Sequence, residues 1–374
     1  MSDQAIYDVV VFGAGVSGTA AAIRACSRNL RTAIVDQRRS GADARRVEWL
    51  HPEAAQLLKA AGVSIDEVSV GMIDRLRLVD QGGARQTTAA IGKKVRLVDC
   101  SELASTLLEH ARRGGAELRQ GEVVGVEAQE RTVALRLGDG STLLGKVLLA
   151  ADGYPSLAAR RAASDRTIGA AHGVLCCQAH QRLERAQAAS ARNGELSLFL
   201  ESADLTSFGL GLAAGGSELL SFVSPCDVSA MQAAFDLAVQ RWGNAGLLVG
   251  DWAGAGTQPE IRSLPRGAAL DAETHVGKNT LVIGDAGGYV SAVSLEGLYG
   301  AIRSAFVGAD ACADALASSH PQDVLMEFDA RWRGELVEYL RPPNSDMRFL
   351  LPLVFSNKRM AERVAQAFIL GVNI

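Results

Sequence analysis

Three short runs in this chain end an apolar stretch in a tight turn and then present a group able to hydrogen-bond a ligand. The first, YDVVVFGAGVSG from Tyr7, sets Gly13, Gly15 and Gly18 in the spacing GxGxxG. The second, VLLAADGYPS from Val147, carries Asp152, Gly153 and Ser156. The third, NTLVIGDAGG from Asn279, carries Gly284 and Asp285. A strand that runs through GxGxxG into a helix binds a pyrophosphate. The first glycine permits the turn, the second lets the phosphates approach, and the third lets helix and strand pack closely. Backbone groups of Gly13, Ala14, Gly15, Val16, Ser17 and Gly18 would line that cradle, with the positive end of the helix behind them. The next apolar run, LRTAIVD, ends at Asp36, followed by Gln37, 18 residues after Gly18. A carboxylate there accepts both hydroxyls of an adenosine ribose and repels a 2′-phosphate, which points to FAD or NAD rather than NADP.

These groups need elements to hold them. Val9–Phe12, Val147–Ala151 and Leu281–Ile283 are short, fully apolar runs, as central parallel strands should be. A helix is expected over roughly Val16 to Arg28 and another from about Gly297–Leu298. Segment 44–62 has helical spacing and ends at Gly62. MIDRLRLVDQGGARQTTAAI alternates and turns at Gly82–Gly83, the pattern of a hairpin. DCSELASTLLEHARRGGAEL is an amphipathic helix capped by Asp99 or Ser101 and stopped at Gly114–Gly115. Residues 122–150 read as a meander. From about 165 to 258 the pattern becomes one of antiparallel strands plus a helix over VSAMQAAFDLAVQRWG. Near the end, Phe328, Trp332, Leu336 and Tyr339 fall on one helical stripe, the spacing of a packed core face, and Pro342–Pro343 breaks the run.

Composition bounds what such a scaffold can be. The chain has 374 residues, 48% of them hydrophobic, enough for two or three packed lobes. Its 38 basic and 42 acidic residues give a net charge of −4, with no basic patch to argue for nucleic acid. Six cysteines (Cys26, Cys100, Cys176, Cys177, Cys226, Cys312) show neither CxxC nor metal-ligand spacing and read as free thiols, so no metal is expected. MSDQAIY is too short and polar for a signal peptide, and no run approaches the ~20 apolar residues of a membrane span, so a cytoplasmic protein is expected.

Taken in order, GxGxxG, ADG and GD resemble the FAD-dependent flavoprotein superfamily that includes p-hydroxybenzoate hydroxylase-like (group A) monooxygenases, flavin halogenases and geranylgeranyl reductases. The resemblance covers nearly the whole chain. It implies an α/β fold: a Rossmann-like FAD-binding domain of the GR2 type, a mainly antiparallel β-sheet substrate domain and a helical C-terminal segment. Expected boundaries are 1–67, 99–164 and 259–320 for the first, 68–98 and 165–258 for the second, and 321–374 for the third. The resemblance also explains why a second turn exists, because FAD is long and its flavin end needs a separate grip. It implies that Asp285, beside Gly284, bonds a ribityl hydroxyl. It further implies that the helix after Glu296, Gly297 and Leu298 aims its N-terminus at the flavin pyrimidine ring. Asp152 and Gly153 join the expected cofactor contacts. Two departures stand out. In geranylgeranyl reductases the turn runs GDAAGxxxPxxGEG, whereas here Ala292 replaces the proline and Leu295 the first glycine. A family arginine corresponds to Cys100, so phosphate neutralisation would fall to Arg45, Arg46 or Arg96.

The expected activity is FAD-dependent oxidation, foremost a monooxygenase that hydroxylates an aromatic or other electron-rich substrate through a flavin hydroperoxide. The alternatives are geranylgeranyl reductase-like reduction of an isoprenoid double bond, a protein-modifying role in quinone-cofactor maturation, and a non-catalytic electron carrier. The absence of a second GxGxxG leaves NAD(P)H or a partner flavin reductase as the electron source. The substrate would be a small molecule or peptide of apolar or aromatic character. No halogenase WxWxIP is present, and Lys93 and Lys94 read as a solvated turn. No catalytic base stands out; His51, in EWLHP, is the one weak candidate.

Overall fold

The structure, a computed structural model, describes residues 6–37, 46–162, 173–252 and 259–373. The described residues build two eight-stranded sheets and a helical tail.

In the first sheet the strands lie in the order Val276–Gly277, Thr280–Val282, Thr142–Ala150, Ile6–Phe12, Thr32–Asp36, Glu117–Gln120, and a meander of Val123–Ala128 and Val133–Leu137 joins through Thr142–Ala150. Five of these strands run parallel. Val9, Val10 and Val11 are fully buried because both faces of the sheet are covered. On one side lie helices Val16–Ser27 and Leu298–Leu316, whose alanines bring them close together. Arg24 fastens them with two hydrogen bonds to Asp310 of 2.9 and 3.0 Å. On the other side lie the meander and helix Leu157–Ala162. Strand Ile6–Phe12 has Thr32–Asp36 on one flank and Thr142–Ala150 on the other. The chain order therefore reverses there, and a crevice opens at the carboxyl ends of the strands. Gly13, Asp36, Asp152 and Gly284 all follow strand ends at that edge.

The second sheet runs Glu260–Pro265, Gly173–Arg182, Ser217–Ser224, Phe208–Ala214, Glu195–Leu200, Ser69–Val79, Gln86–Asp99, Val47–Leu50. It is antiparallel except where Glu195–Leu200 pairs in parallel with Ser69–Val79. Helix Val228–Asn244 packs one face, and tail helices Met347–Val354 and Lys358–Leu370 pack the other. The stripe Phe328, Trp332, Leu336, Tyr339 is buried in helix Phe328–Leu340.

Three local expectations need correction. Segment 44–62 is not one helix: Val47–Leu50 is a strand, and the helix is Pro52–Ala60. Val47 and Trp49 point into the apolar core beneath the second sheet, and pairing with Gln86–Asp99 outweighs the helical spacing. Strand Glu260–Pro265 likewise belongs to the second sheet. That sheet thus takes its two edge strands from residues inside the 1–67 and 259–320 boundaries. Lys93 and Lys94 lie on strand Gln86–Asp99 rather than in a turn, and both are exposed.

The cysteines are free thiols, and burial pushes Cys176 up to about 11 and Cys177 up to about 12, so the adjacent pair is unreactive at neutral pH. No helix among the described residues is long and apolar enough to cross a membrane, and no metal-binding cluster is present among them.

Candidate active site

A cavity of about 380 Å³ lies where the two sheets meet. Its floor is the first glycine turn. Gly13 takes φ of 110°, a left-handed value that favours glycine, and a side chain there would strike the carbonyl oxygen of Ala151 at 2.2 Å. A Cβ on Gly18 would meet the oxygen of Gly13 at 1.9 Å, so helix Val16–Ser27 can dock only without one. The amide of Ala14 donates to Asp36 at 2.5 Å, which ties the turn to the acid at the end of the next strand.

The second glycine turn touches the first. Gly284 has φ of 62°, and a Cβ on it would lie 2.6 Å from the side chain of Ser17. Residues Gly284–Gly287 form a single 3-10 turn, whose Asp285 faces the cavity and the N-terminus of helix Leu298–Leu316. A Cβ on Gly297 would sit 3.3 Å from Asp285 Oδ1. Burial raises the proton affinity of Asp285, while the Arg46 guanidinium draws it back down.

The cavity brings together most of the expected residues. Gly13, Gly15, Val16, Ser17, Asp36, Gln37, Arg46, Asp152, Gly153, Asp285, Gly297 and Leu298 line it. Ala14, Gly18 and Gly284 shape the two turns without lining the cavity. Asp152 is occupied locally: it accepts from Ser156 Oγ at 2.6 Å and from the amides of Leu157 and Ala158 at 2.7 and 3.1 Å. Glu296 lies behind the wall, where it accepts from the Tyr299 amide at 2.9 Å and from the Tyr339 hydroxyl. His51 is not at the cavity. It caps helix Pro52–Ala60, contacts the Leu370 carbonyl at 3.2 Å and stacks on Tyr299 at 4.4 Å.

Of the three candidate bases, Arg46 lines the cavity and sits against Cys100. Arg96 pairs with Asp66 at 2.7 Å and is not part of the lining. Arg45 lies outside the described residues.

Sequence reading missed the opposite wall. Glu48 pairs with Arg46 at 3.0 Å, and both face the cavity with Arg262, Leu264, Val290 and Leu295. Arg262 and Leu264 share one face of an alternating strand, so EIRSLP carried a signal that went unread.

Leu295 stands where the related turn has glycine, and it keeps the backbone that glycine favours, with φ of 61°. That conformation costs a leucine about 1–2 kcal/mol. Its side chain repays the strain by packing into the core between the second sheet and the tail while walling the cavity. Leu295→Gly removes strain and apolar contact of similar size, about 1–2 kcal/mol each, so thermal stability should barely change. Iodide quenching of the fluorescence of bound flavin should rise. Unchanged quenching would mean that Leu295 does not shield the flavin.

Residues 6–185 match the FAD binding domain family. Along most of its length the chain is 22% identical to digeranylgeranylglycerophospholipid reductase 1 from Methanococcoides burtonii, over 357 residues covering 89% of this chain and 81% of that one. A geranylgeranyl bacteriochlorophyll reductase-like structure from Thermoplasma acidophilum superposes with a TM-score of 0.75 at 16% identity, covering 98% and 91% of the two chains. PqsL, a probable FAD-dependent monooxygenase from Pseudomonas aeruginosa, superposes with a TM-score of 0.68 at 18% identity, covering 96% and 99%. Residues 6–185 thus carry an FAD-binding domain, and the whole chain shares the fold of these flavoproteins.

The residues of this flavoprotein suit FAD on their own terms. The Ser17 hydroxyl is buried without a hydrogen-bond partner, and the Asp285 carboxylate has none among the described residues. Two glycine turns in contact leave a side-chain-free cradle between these groups.

Proposed function

We propose that this flavoprotein is a monooxygenase that hydroxylates a compact aromatic or other electron-rich substrate bearing a polar group. The observation that carries this reading is the wall facing the glycine turns. There Arg262 and Glu48 stand beside Leu264, Val290 and Leu295 around a single cavity. An apolar surface with a few placed charges suits a small, polar-headed ring.

When bound, FAD supplies two-electron redox chemistry and reactivity towards oxygen. The rest falls to the chain. Backbone amides from Gly15 to Gly18, at the start of helix Val16–Ser27, hold the pyrophosphate, with Arg46 neutralising charge. Asp36 and Gln37 take the adenosine ribose, and Asp285 takes a ribityl hydroxyl. The N-terminus of helix Leu298–Leu316 favours negative charge on the flavin pyrimidine ring. Arg262 and Glu48 orient the polar end of the substrate, and Leu264 and Leu295 exclude water. NAD(P)H or a partner flavin reductase supplies the electrons.

The reductase-like relative from Methanococcoides burtonii and the retained Glu296–Gly297 support a second reading, reduction of an isoprenoid double bond. The two readings separate by experiment. FAD-loaded protein is reduced anaerobically and mixed either with isotopically labelled dioxygen and a panel of hydroxy- and aminobenzoates, or with geranylgeranyl diphosphate without oxygen. Label in a hydroxylated product supports the first reading. Saturation of the isoprenoid without oxygen overturns it in favour of the second.

A further inference from the structure

We propose that His275 is a positioning residue for the cofactor: bridging Asp329 and the carbonyl of Gly287, it fixes the second glycine turn so that Asp285 faces FAD. This rests on the reading above that the turn holds the flavin end.

His275 is 1% exposed. Its Nδ1 lies 3.2 Å from Asp329 Oδ1, and its Nε2 lies 2.8 Å from the Gly287 oxygen. The Gly287 carbonyl can only accept, so the 2.8 Å contact places an N–H on Nε2. Asp329 anchors the far side of the ring. Burial works against its charge, but hydrogen bonds from His275, Thr274 and Trp332 hold its carboxyl well below the usual carboxylate range. The Trp332 ring meets the imidazole edge-on at 5.0 Å, and the Tyr289 ring lies 4.9 Å away. These aromatic groups shield the imidazole from water. The charged groups around it are Asp329 and Arg333, whose Nη1 is 3.6 Å from Asp329 Oδ1. Burial keeps the Tyr289 phenol neutral.

The strut ends on the turn that matters. Gly287 closes the 3-10 turn two residues after Asp285, and Gly288 donates back to the Asp285 carbonyl at 3.0 Å. Asp329 opens helix Phe328–Leu340, whose other end supplies Tyr339 to Glu296. The tail helix therefore grips the segment between Gly284 and Gly297 at both ends. Without the ring the buried Gly287 carbonyl would lose its donor, and the turn would loosen.

The test is the FAD dissociation constant of the full chain, measured by flavin fluorescence. Wild type, His275→Phe, His275→Gln, Asp329→Asn and Asp285→Ala are compared, with melting of each apoprotein as a folding check. His275→Phe should bind FAD about tenfold more weakly, and His275→Gln, whose amide can still donate to the Gly287 carbonyl, should recover part of that loss. Asp329→Asn, which weakens the far anchor of the ring, should also bind FAD more weakly than wild type. Wild-type affinity in His275→Phe, with Asp285→Ala weakened, overturns the strut and spares the flavin turn. If His275→Phe does not fold, wild-type affinity in Asp329→Asn overturns it. Unchanged affinity in Asp285→Ala would overturn the reading of the turn, and the strut with it.

Discussion

Asp285→Ala is expected to raise the dissociation constant for FAD by about 10- to 100-fold, the loss of one hydrogen bond to a charged group, about 1.5–3 kcal/mol. The apoprotein should be at least as stable as wild type. Burial already disfavours the Asp285 carboxylate, and no hydrogen bond within the described residues compensates it. Removing the group therefore removes a desolvated charge, and the cavity beside it already exists, so no new void is carved from packed core. Arg46 would then keep Glu48 as its partner at 3.0 Å, which limits the disturbance to the site. The expected signature is selective: FAD affinity falls while melting of the apoprotein holds or rises. Equilibrium titration of FAD into the apoprotein, paired with thermal melts, reads both quantities. Wild-type affinity in this variant would mean that the ribityl chain finds its grip elsewhere.

That selectivity follows from which features the sequence exposes. Gly13, Gly15, Gly18, Asp36 and Asp285 were legible because each does its work within a few residues of its own strand end. A turn, a close approach or a carboxylate after an apolar run is a local pattern. Arg262 and Glu48 were not legible, because what brings them to the cavity is pairing across long sequence distances. Cys176 lies opposite Arg262, and Val98 lies opposite Glu48. Short strands beside helices fail for the same reason: Val47–Leu50 reads as the start of the helix that follows it and becomes a strand because Gln86–Asp99 is there to pair with it. Leu295 shows the reverse conflict. Its side chain argues against a left-handed backbone, yet the turn between Ser291 and Gly297 imposes one and the apolar core accepts the side chain. Glu296 reads as a cofactor contact and His51 as a weak catalytic candidate, yet both lie off the cavity, because sequence alone cannot tell a residue that faces it from one that braces it from behind.

Glu296→Gln tests what that bracing does. Burial pushes the Glu296 carboxyl up to about 8, although the Tyr339 hydroxyl and the Tyr299 amide pull it down. In the unfolded chain an ordinary glutamate titrates near ~4.3. The folded state thus keeps a proton that the unfolded state gives up. The stability this confers is complete below about pH 4.3 and drains away as pH climbs to about 8. Glutamine is neutral throughout and can serve the same two partners, accepting from Tyr299 and donating to the Tyr339 oxygen. At pH 8 the variant should be more stable than wild type by roughly 4 to 5 kcal/mol, and its stability should be flat across the interval where wild type declines. Glu296→Ala, which strands both partners, should be less stable at every pH; thermal melts of the apoproteins across this range decide. The neutral carboxyl also matters to the site it supports. Glu296 directly precedes Gly297, the cap of helix Leu298–Leu316. An ionised carboxylate there would cancel the positive end of the helix at the point where negative charge on reduced flavin needs it. The flavin reduction potential of wild type should therefore drop more steeply above about pH 8 than that of Glu296→Gln, and parallel slopes would separate Glu296 from the cofactor's electrostatics.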